Sequence, residues 1–143
     1  MKVIEGGVTA AQGFFAAGLS AGIKKGNTKD MAMLYSKVPC EAAGTFTTNI
    51  VKAAPVKWDQ KIVYESEKAQ AVICNSGIAN ACTGEEGFGC CKETAKAASL
   101  ALNIPEDSVL VASTGVIGQQ IPIEKIKKGI ENAGKNVADF DVG

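Results

Sequence analysis

A single α/β domain, with strands and helices mixed in α+β fashion, is the architecture predicted for residues 1–143. Three observations point to it. Short β-prone apolar segments crowd the first half, separated by hairpin-type turns. Two passages in the second half run from a buried strand through a polar loop into an amphipathic helix. No linker, internal repeat or low-complexity stretch divides the chain, whose 143 residues match the usual size of one domain.

Residues 14–23 (FFAAGLSAGI) and 31–37 (MAMLYSK) read as strands, the second with Met31, Met33 and Tyr35 alternating against Ala32 and Leu34. Lys25-Gly26-Asn27 supplies the turn between them. Residues 42–48 (AAGTFTT) form a third strand candidate. Pro55 suits the first position of a helix running to about Glu65, with Trp58 and Ile62 on one face. Residues 69–75 are nearly all apolar, as in a strand covered on both sides, and emerge into Asn75-Ser76-Gly77.

The clearest helix covers residues 85–102, where Phe88, Cys91, Ala95, Ala98 and Leu102 recur at spacings of three and four. Thr83 or Gly84 can cap its start, and Pro105 forbids its continuation. Residues 108–113 (SVLVAS) are another buried strand, followed by Thr114-Gly115-Val116-Ile117-Gly118. Pro122 then opens a helix carrying Ile123, Ile126 and Ile130, and the helical signal fades beyond Ala133.

Composition excludes several function classes. Fifteen basic residues balance fifteen acidic ones, so no strong field favours nucleic acid or an anionic membrane. No apolar run approaches the ~18 residues of a membrane span, and the start lacks the pattern of a signal peptide, so the cytoplasm is the expected compartment. The five cysteines, Cys40, Cys74, Cys82, Cys90 and Cys91, contain no C-x-x-C, and there is no histidine. That pattern predicts reduced, mostly buried thiols and no metal site. The missing histidine also excludes any Ser-His or Cys-His nucleophile pair within the chain. Despite 16 glycines there is no G-x-x-x-x-G-K-[ST], and Gly84, Gly87 and Gly89 do not form G-x-G-x-x-G.

Two loops can carry chemistry. The first, residues 75–84 (NSGIANACTG), delivers Asn75, Ser76, Asn80 and Thr83 among small residues just before a helix, whose start favours negative charge. Asn75, Ser76 and Asn80 are therefore candidate substrate contacts. The same pattern also suits a connection whose Asn and Ser side chains satisfy backbone groups. The second loop, residues 113–118 (STGVIG), ends a buried strand in adjacent hydroxyls followed by glycine. Acyl transfer needs donors aimed at a carbonyl oxygen as it becomes an anion, and an N–H beside glycine is unobstructed.

Together these segments resemble the ornithine acetyltransferases, the bifunctional glutamate N-acetyltransferases of arginine biosynthesis. The resemblance rests on residues 7–25 (GVTAAQGFFAAGLSAGIKK), 44–58 (GTFTTNIVKAAPVKW), 75–87 (NSGIANACTGEEG) and 109–118 (VLVASTGVIG), in matching order and spacing. It implies a layered sandwich of β-sheets and helices, of which this chain is the amino-terminal part of the alpha chain, incomplete without a second, beta chain. The precursor cleaves itself, and the threonine at the new amino terminus of the beta chain becomes the nucleophile. That threonine takes acetyl from N-acetylornithine and passes it to glutamate; some members also use acetyl-CoA as a substrate, and no other cofactor is implied. Its own α-amine serves as base, which fits a site without histidine. The resemblance assigns the oxyanion donors to the Thr114 hydroxyl and the Gly115 N–H, and the assembly to two alpha and two beta chains.

Two departures accompany the match. Ile78 stands where the family's N-S-G-N-A-N-A-C-T-G has its second asparagine. The chain also ends at Gly143, before the family's T-T-D-T and A-K-G-S-G-M segments and its A-T cleavage junction. The expectation is thus an acyltransferase component that is inactive alone. The alternatives are a self-processing hydrolase of the aminopeptidase/esterase type and an inactive assembly fragment.

Overall fold

The computed structural model describes residues 3, 5–66 and 68–139. Four strands, β1 (Phe14–Leu19), β2 (Met31–Glu41), β3 (Lys68–Asn75) and β4 (Val109–Ser113), form one sheet in that order. Pairing is antiparallel between β1 and β2 and between β2 and β3, but parallel between β3 and β4. Three helices, α1 (Ala54–Glu65), α2 (Gly84–Leu102) and α3 (Ile123–Asp139), complete the mixed α/β architecture.

The strand register explains where the core lies. Met33 pairs with Ile73 and Ile73 with Val111, so one face of the sheet presents a continuous apolar row. All three side chains are buried, together with Met31, Ala71 and Val109. Cys91, Ala95 and Ala98 of α2 pack into the same cluster with no exposure, and Trp58 and Ile62 of α1 join from one side. From the other side come Ile126, Ile130, Ala133 and Val137 of α3, which continue a spacing of four and three past the point where the sequence signal fades.

The helices thus form one layer on one face. The alternate strand residues look the other way: Ala16, Leu34, Val72 and Cys74 are half-buried, and Gly18, Ala32 and Ala112 are exposed. None is charged, and no described helix covers them.

The edge at β4 is closed by α1. The Trp58 Nε1–H donates to the Val109 carbonyl at 2.9 Å, and the Val111 N–H donates to Asp59 Oδ1 at 2.8 Å. Both strand groups face outward from the sheet, and these bonds remove an open edge that would invite pairing with another chain.

Several boundaries differ from expectation. Strand β1 stops at Leu19, not Ile23, because the Asp30 carboxylate captures the N–H groups of Ala21, Ile23 and Lys24 at 2.7, 2.7 and 2.8 Å. Strand β2 continues to Glu41, accommodating Pro39 in a register shift between Tyr35 and Cys40. There Gln70 Nε2–H reaches the Ser36 carbonyl at 3.2 Å. The strand candidate at residues 42–48 does not form. Thr47 Oγ1 and Asn49 Oδ1 accept the N–H groups of Asn49 and Val51, giving the backbone local partners in place of a ladder. Helix α2 ends at Asn103, whose φ of 52° is left-handed, two residues before Pro105.

Candidate functional site

Parallel pairing brings the carboxyl ends of β3 and β4 side by side, with Asn75 opposite Ser113. Both candidate loops therefore leave the sheet at one place, the position where ligands bind in sheets of this kind. The loops continue the pairing beyond the strands. The Thr114 N–H donates to the Asn75 carbonyl (3.1 Å), Val116 to Gly77 (3.0 Å) and Gly118 to Ala81 (2.9 Å), while Ala79 donates to Val116 (2.9 Å).

The parity of this ladder sets the orientation of Gly115. Residues 114, 116 and 118 turn their N–H groups toward the first loop, so Gly115 turns its own N–H away from it. Among the described residues nothing accepts from the Gly115 N–H, and the Thr114 hydroxyl has no hydrogen-bond partner. Both residues are exposed. Two adjacent donors thus stand free on a loop braced by the N–H bonds of Thr114, Val116 and Gly118. Val116 and Ile117, 56% and 63% exposed, place apolar side chains beside them.

Gly115 has a φ of +134°, and a Cβ there would overlap the carbonyl of Gly77 and sit 2.7 Å from the Ile78 nitrogen. The close approach of the loops requires glycine on both grounds. Gly77, at φ +108°, is packed in turn by the side chains of Ile23 and Lys24, whose carbons lie 3.1 and 3.0 Å from a Cβ built on it.

The asparagines of the first loop are structural hubs. Asn75 is buried and its Nδ2–H donates to the Ile78 carbonyl at 2.8 Å. Asn80, 3% exposed, donates through Nδ2 to the Gly87 carbonyl (2.8 Å) and to Cys91 Sγ (3.3 Å), and accepts from Thr83 Oγ1 (2.6 Å). Its backbone N–H donates to Ser113 Oγ at 2.9 Å, and Ser113 Oγ donates to the Ile78 carbonyl at 3.2 Å, which ties the two loops together. Ser76 is half-buried and bonds the Asp30 carbonyl through its N–H (2.8 Å) and its hydroxyl (3.4 Å). Ile78 contributes to the site through its backbone, which bridges to Val116, while its side chain packs on the core.

Thr83 occupies the cap position of α2 as expected, but its hydroxyl bonds Asn80 and not the helix. Among the thiols, burial, with the nearby carboxylate of Asp59 adding to it, pushes Cys91 up to about 12 and raises Cys74. Burial likewise raises Cys90, with Glu93 and Glu86 adding to it. All three are protonated at neutral pH and poor nucleophiles. Cys82 is exposed. Among the described residues no group of three or more Cys, Asp or Glu side chains converges as metal ligands would, and no helix is long and apolar enough to cross a membrane.

Sequence reasoning overlooked Asp30 and Asp59. Asp30 is 2% exposed and anchors the loop that carries Lys24 against Gly77. Burial raises its carboxyl, but the bonds from Lys24, Ala21 and Ile23 outweigh this and hold it below the usual carboxylate value. The only sequence signal is a lone acid following a lysine- and glycine-rich turn at the start of a strand. Asp59 sits at the sheet edge, where burial pushes its carboxyl up to about 6 against the opposing Val111 bond.

Comparison with known proteins gives a consistent match. Residues 15–141 fit the family model described as ArgJ family. An arginine biosynthesis bifunctional protein ArgJ from Thermotoga neapolitana is 50% identical over 128 residues, covering 89% of this chain. The match spans only 32% of that relative, so the chain corresponds to about a third of its length. The crystal structure of the corresponding Bacillus halodurans protein superposes with a TM-score of 0.83 at 42% identity, covering 88% of this chain and 65% of that one. An ornithine acetyltransferase from Mycobacterium tuberculosis, solved with ornithine, superposes with a TM-score of 0.86 at 44% identity, covering 90% and 69%.

Proposed function

The chain belongs to the ArgJ family, and on that footing we propose that it supplies the oxyanion-stabilising half of an acetyltransferase site moving acetyl from N-acetylornithine to glutamate. The observation that carries this reading is the pair of unengaged donors, Thr114 Oγ1–H and Gly115 N–H, on a loop braced by bonded neighbours. A carbonyl oxygen seated between them gains negative charge as a nucleophile adds, and two preoriented dipoles stabilise that charge without reorganising.

The nucleophile comes from elsewhere. The chain has no histidine, and three of its five thiols are held protonated. In this reading an amino-terminal threonine of a beta chain attacks, with its own α-amine taking the proton. The tetrahedral adduct collapses to an acetyl-enzyme and releases ornithine, and glutamate's amine then reverses the steps. Thr114 and Gly115 bind the oxyanion in both halves. Acetyl-CoA would act as an alternative acetyl donor to the same threonine.

Asn75, Ser76 and Asn80 act in this account as positioning residues, since their described bonds tie the loops to each other and to Asp30. The beta chain is expected to cover the helix-free sheet face around Ala32, Leu34 and Val72, because small uncharged side chains suit sheet packing. The assembly then holds two alpha and two beta chains, and this chain is inactive by itself.

The test is reconstitution with the remaining portion of the Thermotoga neapolitana relative, followed by assay of acetylornithine consumption with and without glutamate. Glutamate-dependent transfer supports the reading. Consumption independent of glutamate would show water as the acceptor, and turnover by the isolated chain would show that no partner is needed.

A further inference from the structure

We propose that Ser113 is a positioning residue for the oxyanion donors, its hydroxyl fixing the loop against which Gly115 rests, an inference that rests on the acetyltransferase reading above. Ser113 closes β4 on the side of the sheet that carries Val109 and Val111, both buried. Its hydroxyl therefore turns inward at the strand end, while the next residue, Thr114, is exposed. In the parallel register Ser113 stands opposite Asn75, where the first loop begins.

The hydroxyl works in both senses. Ser113 Oγ accepts the Asn80 N–H at 2.9 Å and donates to the Ile78 carbonyl at 3.2 Å. The same carbonyl accepts Asn75 Nδ2–H at 2.8 Å, so both strand ends hold Ile78. These bonds bracket Gly77. Before it, the Asn75 carbonyl accepts the Thr114 N–H at 3.1 Å; after it, Ser113 grips residues 78 and 80. Between the two lies the Gly77 carbonyl, which fills the place of a Cβ on Gly115.

Removing the hydroxyl has a local consequence. Thr114, Val116 and Gly118 keep their N–H bonds to the first loop, so the pairing of the loops survives. The Ile78 carbonyl keeps Asn75, and the Asn80 N–H is the group left without its acceptor. Asn80 also ties the loop to α2, through the Gly87 carbonyl and Cys91 Sγ. Without Ser113 Oγ, residues 78–80 shift relative to β4, and Gly115 moves with the backbone on which it rests. Oxyanion donors act through alignment, so such a shift weakens binding of the transition state more than binding of the substrate.

The experiment measures N-acetylornithine kinetics for Ser113→Ala, Ser113→Cys and Ser113→Thr, each reconstituted with the remaining portion of the Thermotoga neapolitana relative. Ser113→Ala is expected to lower kcat by about 10- to 100-fold with KM within about twofold of the parent. Ser113→Cys, close in shape but a weak donor and acceptor, should lose a similar factor, and it carries the test if the alanine variant does not fold. Ser113→Thr keeps the hydroxyl and should restore turnover. In a Thr114→Ala background the cost of Ser113→Ala should shrink by about threefold or more, because one of the donors it aligns is gone. Parent-like kcat in folded Ser113→Ala or Ser113→Cys would overturn the assignment, leaving Ser113 a structural link only. So would an equal cost in both backgrounds, or a loss confined to KM. Absence of transfer by the parent would instead refute the acetyltransferase reading, and this inference with it.

Discussion

Gly115 rests directly on the carbonyl of Gly77, at a φ of +134° and with no room for a side chain. The contact holds the end of β4 against the loop after β3, and through it the Gly115 N–H faces outward. Gly115→Ala is expected to destabilise the folded chain by about 2–4 kcal/mol, combining the cost of positive φ with overpacking against backbone. Activity should fall with it. A urea midpoint equal to that of the parent would show that the loops do not need this contact.

Asn80 offers a second test, which separates architecture from substrate contact. Asn80→Ala leaves the Gly87 carbonyl and the Thr83 hydroxyl without their partner in a buried site. The expected cost is about 2–3 kcal/mol of stability, at roughly 1–3 kcal/mol per unsatisfied buried group. In the reconstituted enzyme KM for N-acetylornithine should stay within twofold. A raised KM with an unchanged melting midpoint would move Asn80 from the scaffold into the substrate pocket.

Asp59 should give stability a pH dependence with a defined sign. Its carboxyl has an ordinary value of 3.8 and is pushed up to about 6 by burial. Between about 4 and 6 the folded chain binds more protons at this site than the unfolded one. The contribution of Asp59 to stability therefore falls as pH rises through that window, and the penalty is complete above it. Asp59→Asn keeps an oxygen for the Val111 N–H and carries no charge. It is expected to remove this component and to raise stability at pH 7.5 by about 1 kcal/mol, since solvent reaches part of the carboxylate and screens its charge. Thermal midpoints from pH 4 to 8 that run parallel in parent and variant would contradict the burial of that charge.

These tests also mark what could be read from the chain alone. Helices α1 and α2 were legible through apolar residues at helical spacing, from Trp58 and Ile62 to Ala95 and Ala98, and strands β3 and β4 as short, nearly continuous apolar runs. The Ser-Thr-Gly segment and the family resemblance marked Thr114 and Gly115 as candidates, and the oxyanion role proposed for them rests on their unengaged donors. The early boundaries were not, because distant side chains decide them. Asp30 ends β1 by capturing N–H groups six to nine residues before it, and Thr47 and Asn49 dissolve an apolar run that reads as a strand. The parallel pairing of β3 with β4 leaves no periodic trace, yet it is what joins the two loops.

The most direct measurement is the steady-state kinetics of Thr114→Ala in the reconstituted enzyme, with its melting midpoint recorded alongside. Thr114 is exposed and its hydroxyl has no partner among the described residues, so the substitution should leave stability within about 0.5 kcal/mol of the parent. Loss of one oxyanion donor should lower kcat by about 10²–10³-fold with KM little changed. Full turnover by a stably folded Thr114→Ala enzyme would contradict the account.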